Sequence, residues 1–431
     1  MLNPTKRWRV VLGALLIQMC LGAIYAWSVF TPALQGAGWT KLQTQIVFSV
    51  GLALFALSMV VSGRLMGTWG PRRLAVIGGL TLGAGYALAG FTGGTSFLWT
   101  LLGVGVIGGI GIGTAYVVPI AVGIRWFPDR KGVISGVAVA GFGFGAMGWI
   151  KLAGAWGGLL ENMGLGTTLW LYGVLFAAFV ITGAIWMIMP PEEWTPEGYV
   201  APDAPGAGGE DFTPTEMLRT PQFHLMSLTF MVSAGAGLMA IGLMKLFPVE
   251  ALTASGMSAV QASAVAGTAM AVFFSLANGI GRIMWGVISD KLGRKRSVVL
   301  MAASQGILLL LFTSSAGAAW SLYLMATLIG FNFGGNFALF PALTADEFGI
   351  RSVGKNYPWI FLAYGVGGIV FPILGGILGD MGNFPLAFTL TGVLCLVGAG
   401  AAWLVYPPHL DEAKRPFTVH GFLHNAHLFG R

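Results

Sequence analysis

Gly286-Val-Ile-Ser-Asp290-Lys-Leu-Gly293-Arg294-Lys295-Arg296 joins two apolar stretches of the chain. In the first half, Gly63-Arg-Leu-Met-Gly-Thr-Trp-Gly70-Pro-Arg72-Arg73 joins two others. Both segments place a second glycine at the same distance from the first and follow it with basic residues. A weaker echo links Phe127-x-x-Arg130 with Phe348-x-x-Arg351. Matching segments in the two halves mark an internal repeat, and its unit emerges by working outward from them.

Hydrophobic residues make up 56% of the 431 residues and charged residues 9%, against roughly 25% charged in a soluble domain. So few charges cannot cover a water-exposed surface, and lipid is the solvent that suits the chain. Stretches long enough to cross a bilayer lie at roughly 9–32, 43–64, 74–93, 97–121, 132–155, 167–189, 223–247, 264–288, 297–314, 319–343, 357–379 and 385–406. The acidic, Pro/Gly-rich segment 190–220 lacks helical periodicity and reads as a linker. The expected organisation is a six-span half over 1–189, the linker 190–220, a second half over 221–408 and a tail over 409–431. Of the 23 basic residues, all but Lys41, Lys151, Lys245 and Arg282 fall on one side of this arrangement. By the positive-inside rule that side is cytoplasmic, with both termini there. The formal charge of +7 is therefore a topology signal rather than a nucleic-acid footprint.

A parallel repeat of six spans joined by a cytoplasmic linker is the pattern of the major facilitator architecture. The segment Gly286 to Arg296 resembles the signature loop of the major facilitator superfamily, written G-x-x-x-D-x-x-G-R-K-R. The first copy departs from it, with Gly67 where an aspartate is usual. Within that superfamily the chain is similar to the oxalate/formate antiporter and monocarboxylate transporter group. The resemblance rests on Arg125-Trp-Phe-Pro-Asp-Arg-Lys-Gly132 with Gly136, Glu216-Met-Leu-Arg-Thr-Pro-Gln-Phe223, Asn278-Gly-Ile-Gly-Arg282 with Trp285, Ala338-Leu-Phe-Pro341, Asp346-x-Phe348-Gly349 and Asn356-Tyr357. It implies an all-α integral membrane protein, twelve helices in two pseudo-symmetric six-helix halves, acting as a monomer in a bacterial inner membrane. The signature loop implies gating residues at Gly286, Asp290, Arg294 and Arg72.

Arg282 is the residue with the clearest chemical message. An arginine inside an apolar span costs several kcal/mol by insertion scales, so it is expected to face a cavity and meet an anion. It precedes Asp290 by eight residues, about 12 Å of helix, which approaches the roughly 15 Å half-thickness of a hydrocarbon core. A guanidinium near the midplane can hold a carboxylate bidentately. Asn278 lies one turn away on the same face and can complete the carboxylate's hydrogen bonds. Tyr116, nine residues before Arg125, lies at about 13 Å depth, and the resemblance places it opposite the arginine. Tyr25, Phe142, Asn332, Asn336 and Phe337 also stand where the family has cavity residues.

Oxalate exchangers of this group resemble one another in carrying a lysine in the eleventh span. Here that place is Tyr364. One buried cation suits one carboxylate, because a second desolvated charge would go unpaired. The expected substrate is therefore a monocarboxylate such as lactate, pyruvate or formate, moved with a proton by alternating access. The rival reading is an oxalate/formate-type anion exchanger. No cofactor or metal site is expected, nor enzymatic activity. Cys20 and Cys395 read as packing residues, and His420, His424 and His427 as a solvated tail. Gly103-Val-Gly-Val-Ile-Gly108 matches a dinucleotide fingerprint in letters only, inside a membrane helix with no preceding strand. Gly105-x-x-x-Gly109-x-x-x-Gly113 and Gly141-x-x-x-Gly145 read as helix-packing faces.

Overall fold

The computed structural model of the chain describes residues 5–154, 156–191, 194–196, 211–243 and 246–408. Lys245, the side chain of Lys41, much of the linker and the tail with its three histidines lie outside the described residues. Among the described residues every regular element is helical. Twelve helical segments are long and apolar enough to span a membrane: Arg7–Trp27, Ile46–Trp69, Pro71–Phe91, Phe97–Trp126, Pro128–Ala153, Leu159–Ala184, Pro221–Ile241, Ala259–Leu292, Arg294–Ser315, Ala319–Phe348, Val353–Gly379 and Phe384–Trp403. We number these spans one to twelve. Each coincides with an expected apolar stretch, and several run further than the apolar residues do. The eighth begins before its apolar run because the Ser258 side chain caps it, accepting from Gln261 N at 3.3 Å.

The repeat seen in the sequence persists in the backbone. Gly70 lies between the second and third spans with φ 79° and ψ 155°, and Gly293 between the eighth and ninth with φ 92° and ψ 151°. Only glycine adopts such angles cheaply, so these positions need the missing Cβ. Pro119 and Pro341 lie inside the helices of the fourth and tenth spans, each removing a backbone donor from its helix.

Small residues bring the helices close. A Cβ added at Gly109 would lie 2.6 Å from Gly51 O, and one at Gly141 would lie 2.8 Å from Leu15 O. The glycine ladders are therefore contact faces, joining the fourth span to the second and the fifth to the first. Two spans contain a π-helical turn, Leu101–Gly108 in the fourth and Ala269–Phe274 in the eighth. The second leads directly into Ser275–Leu292, the helix bearing Asn278 and Arg282. Such turns reset which face a helix presents, and they gather at functional sites.

Contacts divide the chain into two compact units, one of Met1–Asp129 with Val137–Glu197, the other of Arg130–Gly136 with Gly198–Arg431. The first turn of the helix Lys131–Ala153 thus belongs to the second unit. The reason is electrostatic and is given below.

Candidate substrate site

In the second unit the arginine is buried. Arg282 has 0% of its surface exposed. Its Nε donates to Asn278 Oδ1 at 3.2 Å, the one-turn contact expected from the spacing. Its guanidinium carbon lies 4.2 Å from the centre of the Phe337 ring. The ring face and the planar guanidinium make a cation–π contact. The cation is thus held by an amide on one side and an aromatic face on the other.

The surrounding polar groups hold the arginine's helix in place. Trp285, less than one turn further along, donates through Nε1 to Asn332 Oδ1 at 3.2 Å, and Asn332 Nδ2 donates to Ser304 Oγ at 3.0 Å. One asparagine thereby ties the eighth, ninth and tenth spans together. Asn336, a turn along, accepts from Ser233 Oγ of the seventh span at 2.5 Å and donates back to Phe333 O at 3.2 Å. Both asparagines were expected in the cavity wall; the structure uses their amides to brace the helices behind Arg282. Tyr364 is fully buried, its ring 5.4 Å from Phe337, 4.8 Å from Phe361 and 6.3 Å from Phe230. Arg282, Phe337 and Tyr364 are thus joined through a single ring.

In the first unit, the structure brings the remaining candidates together. Tyr116 and Phe142 meet edge-on at 5.6 Å between centroids, and Tyr25 meets Phe142 at 5.0 Å. Phe55 of the second span completes the group, 4.9 Å from Tyr116 and stacked on Phe142 at 6.2 Å. Sequence reasoning missed Phe55, since a phenylalanine within an apolar span carries no distinguishing signal. Gln18, also buried, donates to Tyr116 O at 3.2 Å and fixes that helix.

At the basic end of the eighth span, Asp290 accepts from Gly132 N at 3.0 Å and Val133 N at 2.9 Å. A carboxylate on the orphan N–H groups of a helix start is favoured by hydrogen bonding and by the helix dipole. This contact draws the turn 130–136 into the second unit. Close backbone approach assists it, since a Cβ at Gly132 would lie 2.6 Å from Gly286 O. Arg294 pairs with Asp290 at 2.5 Å and with Asp346 at 3.1 Å, and bonds Ser289 Oγ at 2.6 Å. Lys131 reaches the other oxygen of Asp346 at 2.5 Å. The sequence motifs had named Lys131 and Asp346, but their pairing across more than two hundred residues had no local signature. In the first unit, where Gly67 replaces the usual aspartate, Arg72 donates instead to Ile185 O at 2.6 Å. There the cation caps the end of the sixth span, a favourable place for positive charge.

The chain matches the Major Facilitator Superfamily over residues 10–274 and 262–428. It is 26% identical to the oxalate:formate antiporter of Oxalobacter formigenes, covering 93% of this chain and 92% of that one. Monocarboxylate transporter 13 of Rattus norvegicus is 25% identical, over 93% of this chain and 89% of its own. Among solved structures, the fucose:proton symporter of Escherichia coli superposes with a TM-score of 0.66 at 16% identity, over 91% of this chain and 97% of that one. That likeness concerns the fold alone. A helical repeat with the signature glycines in place, a family match across both halves and relatives of full length lead to one conclusion: the chain belongs to the major facilitator superfamily, as a multi-pass transporter of the oxalate:formate antiporter and monocarboxylate transporter kind.

Proposed function

We propose that the protein carries a small monocarboxylate of the lactate, pyruvate or formate class, together with a proton, by alternating access. The observation that carries this reading is Arg282, wholly buried in a membrane span with its guanidinium set between Asn278 and the Phe337 ring. A cation kept in that position at such cost is there to receive an anion. The substrate carboxylate accepts from the guanidinium, and its short apolar part lies against aromatic rings.

The halves 1–189 and 221–408 are the moving bodies, and the basic ends of the spans face the cytoplasm of a bacterial inner membrane. A single chain suffices, because each element the mechanism invokes lies within it. The alternative of an oxalate/formate-type exchanger is favoured by the similarity to the oxalate:formate antiporter. Tyr364 weighs against it, since a neutral aromatic stands where exchangers of the group have a second cation.

Proteoliposomes loaded at alkaline pH and diluted into acidic buffer distinguish the two. Labelled lactate should accumulate under the gradient without internal anion. Uptake that requires internal anion and ignores the gradient would establish exchange instead. Tyr364→Lys provides a separate check on specificity. A second buried cation should raise oxalate uptake relative to lactate by about tenfold or more, the value of one pairing worth about 1.4 kcal/mol. Unchanged relative uptake would remove Tyr364 from the specificity argument.

A further inference from the structure

We propose that Glu347 is the site that binds and releases the transported proton. The inference rests on the proton-coupled reading above and adds the residue that performs the coupling. Glu347 ends the tenth span beside Asp346, yet the two carboxyls are treated differently. Asp346 spends both oxygens on cations, Oδ1 on Lys131 and Oδ2 on Arg294. Glu347 Oε2 is shut off from solvent and has no hydrogen-bond partner among the described residues.

The charged groups acting on Glu347 are Asp346 on its own helix and Lys295 on the ninth span. Lys295 also places its ammonium 5.5 Å from the centre of the Trp403 ring of the twelfth span. Arg294 and Lys131 are committed to Asp346, and Asp290 to Arg294 and the backbone of Gly132 and Val133. A dry carboxylate oxygen facing no donor, next to a second carboxylate, is an arrangement that a bound proton relieves on both counts.

The coupling follows from where this carboxyl sits. While Lys131, Arg294, Asp290 and Asp346 are joined, Glu347 Oε2 is shut off from solvent, and a proton bound there is kept from it. When that cluster parts, water reaches the carboxyl and the proton leaves to the basic side. Proton affinity therefore differs between the two arrangements, which is the requirement for a proton to bias one against the other. No other ligand is needed, and the step is a simple dissociation from the carboxyl oxygen.

The test uses the full chain in proteoliposomes, with Glu347→Gln as the neutral mimic of the protonated state. Two quantities are read: lactate accumulation driven by an inside-alkaline gradient, and lactate counterflow at one fixed pH. Gradient-driven accumulation is expected to fall to the level seen without a gradient, while counterflow persists. Accumulation equal to wild type would overturn the assignment. Loss of both modes in a well-folded variant would assign Glu347 a structural role and overturn it equally. Wild type that ignores the gradient would refute proton coupling itself, a result separable from failure at this residue. If Glu347→Gln does not fold, Glu347→Asp decides the matter. It should keep gradient-driven uptake with a displaced pH midpoint, and an unmoved midpoint would sink the proposal.

Discussion

Arg282→Ala is expected to reduce lactate uptake into proteoliposomes by about a hundredfold to several thousandfold, without impairing folding. The magnitude follows from removing one partner of a buried charge pair, which costs about 3–5 kcal/mol, at 1.4 kcal/mol for each factor of ten. In the variant the carboxylate would enter a pocket of rings and one amide with no cation to meet it. Stability should respond differently. A buried guanidinium costs the unloaded protein desolvation energy, and burying a charge pair is often no more favourable than apolar packing in its place. The thermal midpoint measured by size-exclusion after heating should therefore hold or rise. Arg282→Lys separates charge from geometry. It keeps the cation over Phe337 but loses the planar fork and the Nε bond to Asn278, so uptake should be intermediate. Wild-type uptake by the alanine variant would exclude Arg282 from the substrate site, and a collapsed midpoint would make its role structural.

The twelve spans were legible because membrane helices announce themselves by length and composition, and no tertiary contact is needed to read them. The signature glycines were legible for a different reason. Gly70 and Gly293 occupy backbone conformations that other residues avoid, so their spacing survives where the helices between them diverge. Arg282 stood out because a cation inside an apolar run is costly enough to require a purpose. The neighbours of these residues could not be read in the same way. Phe55 differs in no local respect from a lipid-facing phenylalanine, and only tertiary packing puts it on Tyr116 and Phe142. Asn332 and Asn336 were named only because they stand where the family has cavity residues. Their use as braces to Trp285, Ser304 and Ser233 depends on which helices lie beside the tenth. Periodicity identifies the face of a helix, but the partner of that face is a property of the fold.

The same distinction gives the ionic cluster its consequence. Lys131, Arg294, Asp290 and Asp346 balance as two cations and two anions, with side-chain exposures of 10%, 12%, 19% and 28%. Asp346→Ala removes an anion that two cations share, leaving Lys131 without its ion pair and Arg294 with Asp290 alone. Stranding a mostly buried charge costs about 3 kcal/mol or more. The variant should therefore unfold at a clearly lower temperature and lose most of its uptake, because the turn 130–136 then loses its ionic tie to the tenth span. If charge balance is what matters, Lys131→Met should restore much of the loss when added to Asp346→Ala. It removes the stranded cation and leaves the neutral Arg294–Asp290 pair in place. The double variant should be more stable than Asp346→Ala by about 1 kcal/mol or more, a coupling well above the few tenths expected for independent sites. Thermal midpoints of the two single variants and the double, measured in one detergent, close the cycle. Additive destabilisation would mean that Lys131 and Asp346 meet without depending on each other, and the cluster would then be a set of separate pairs.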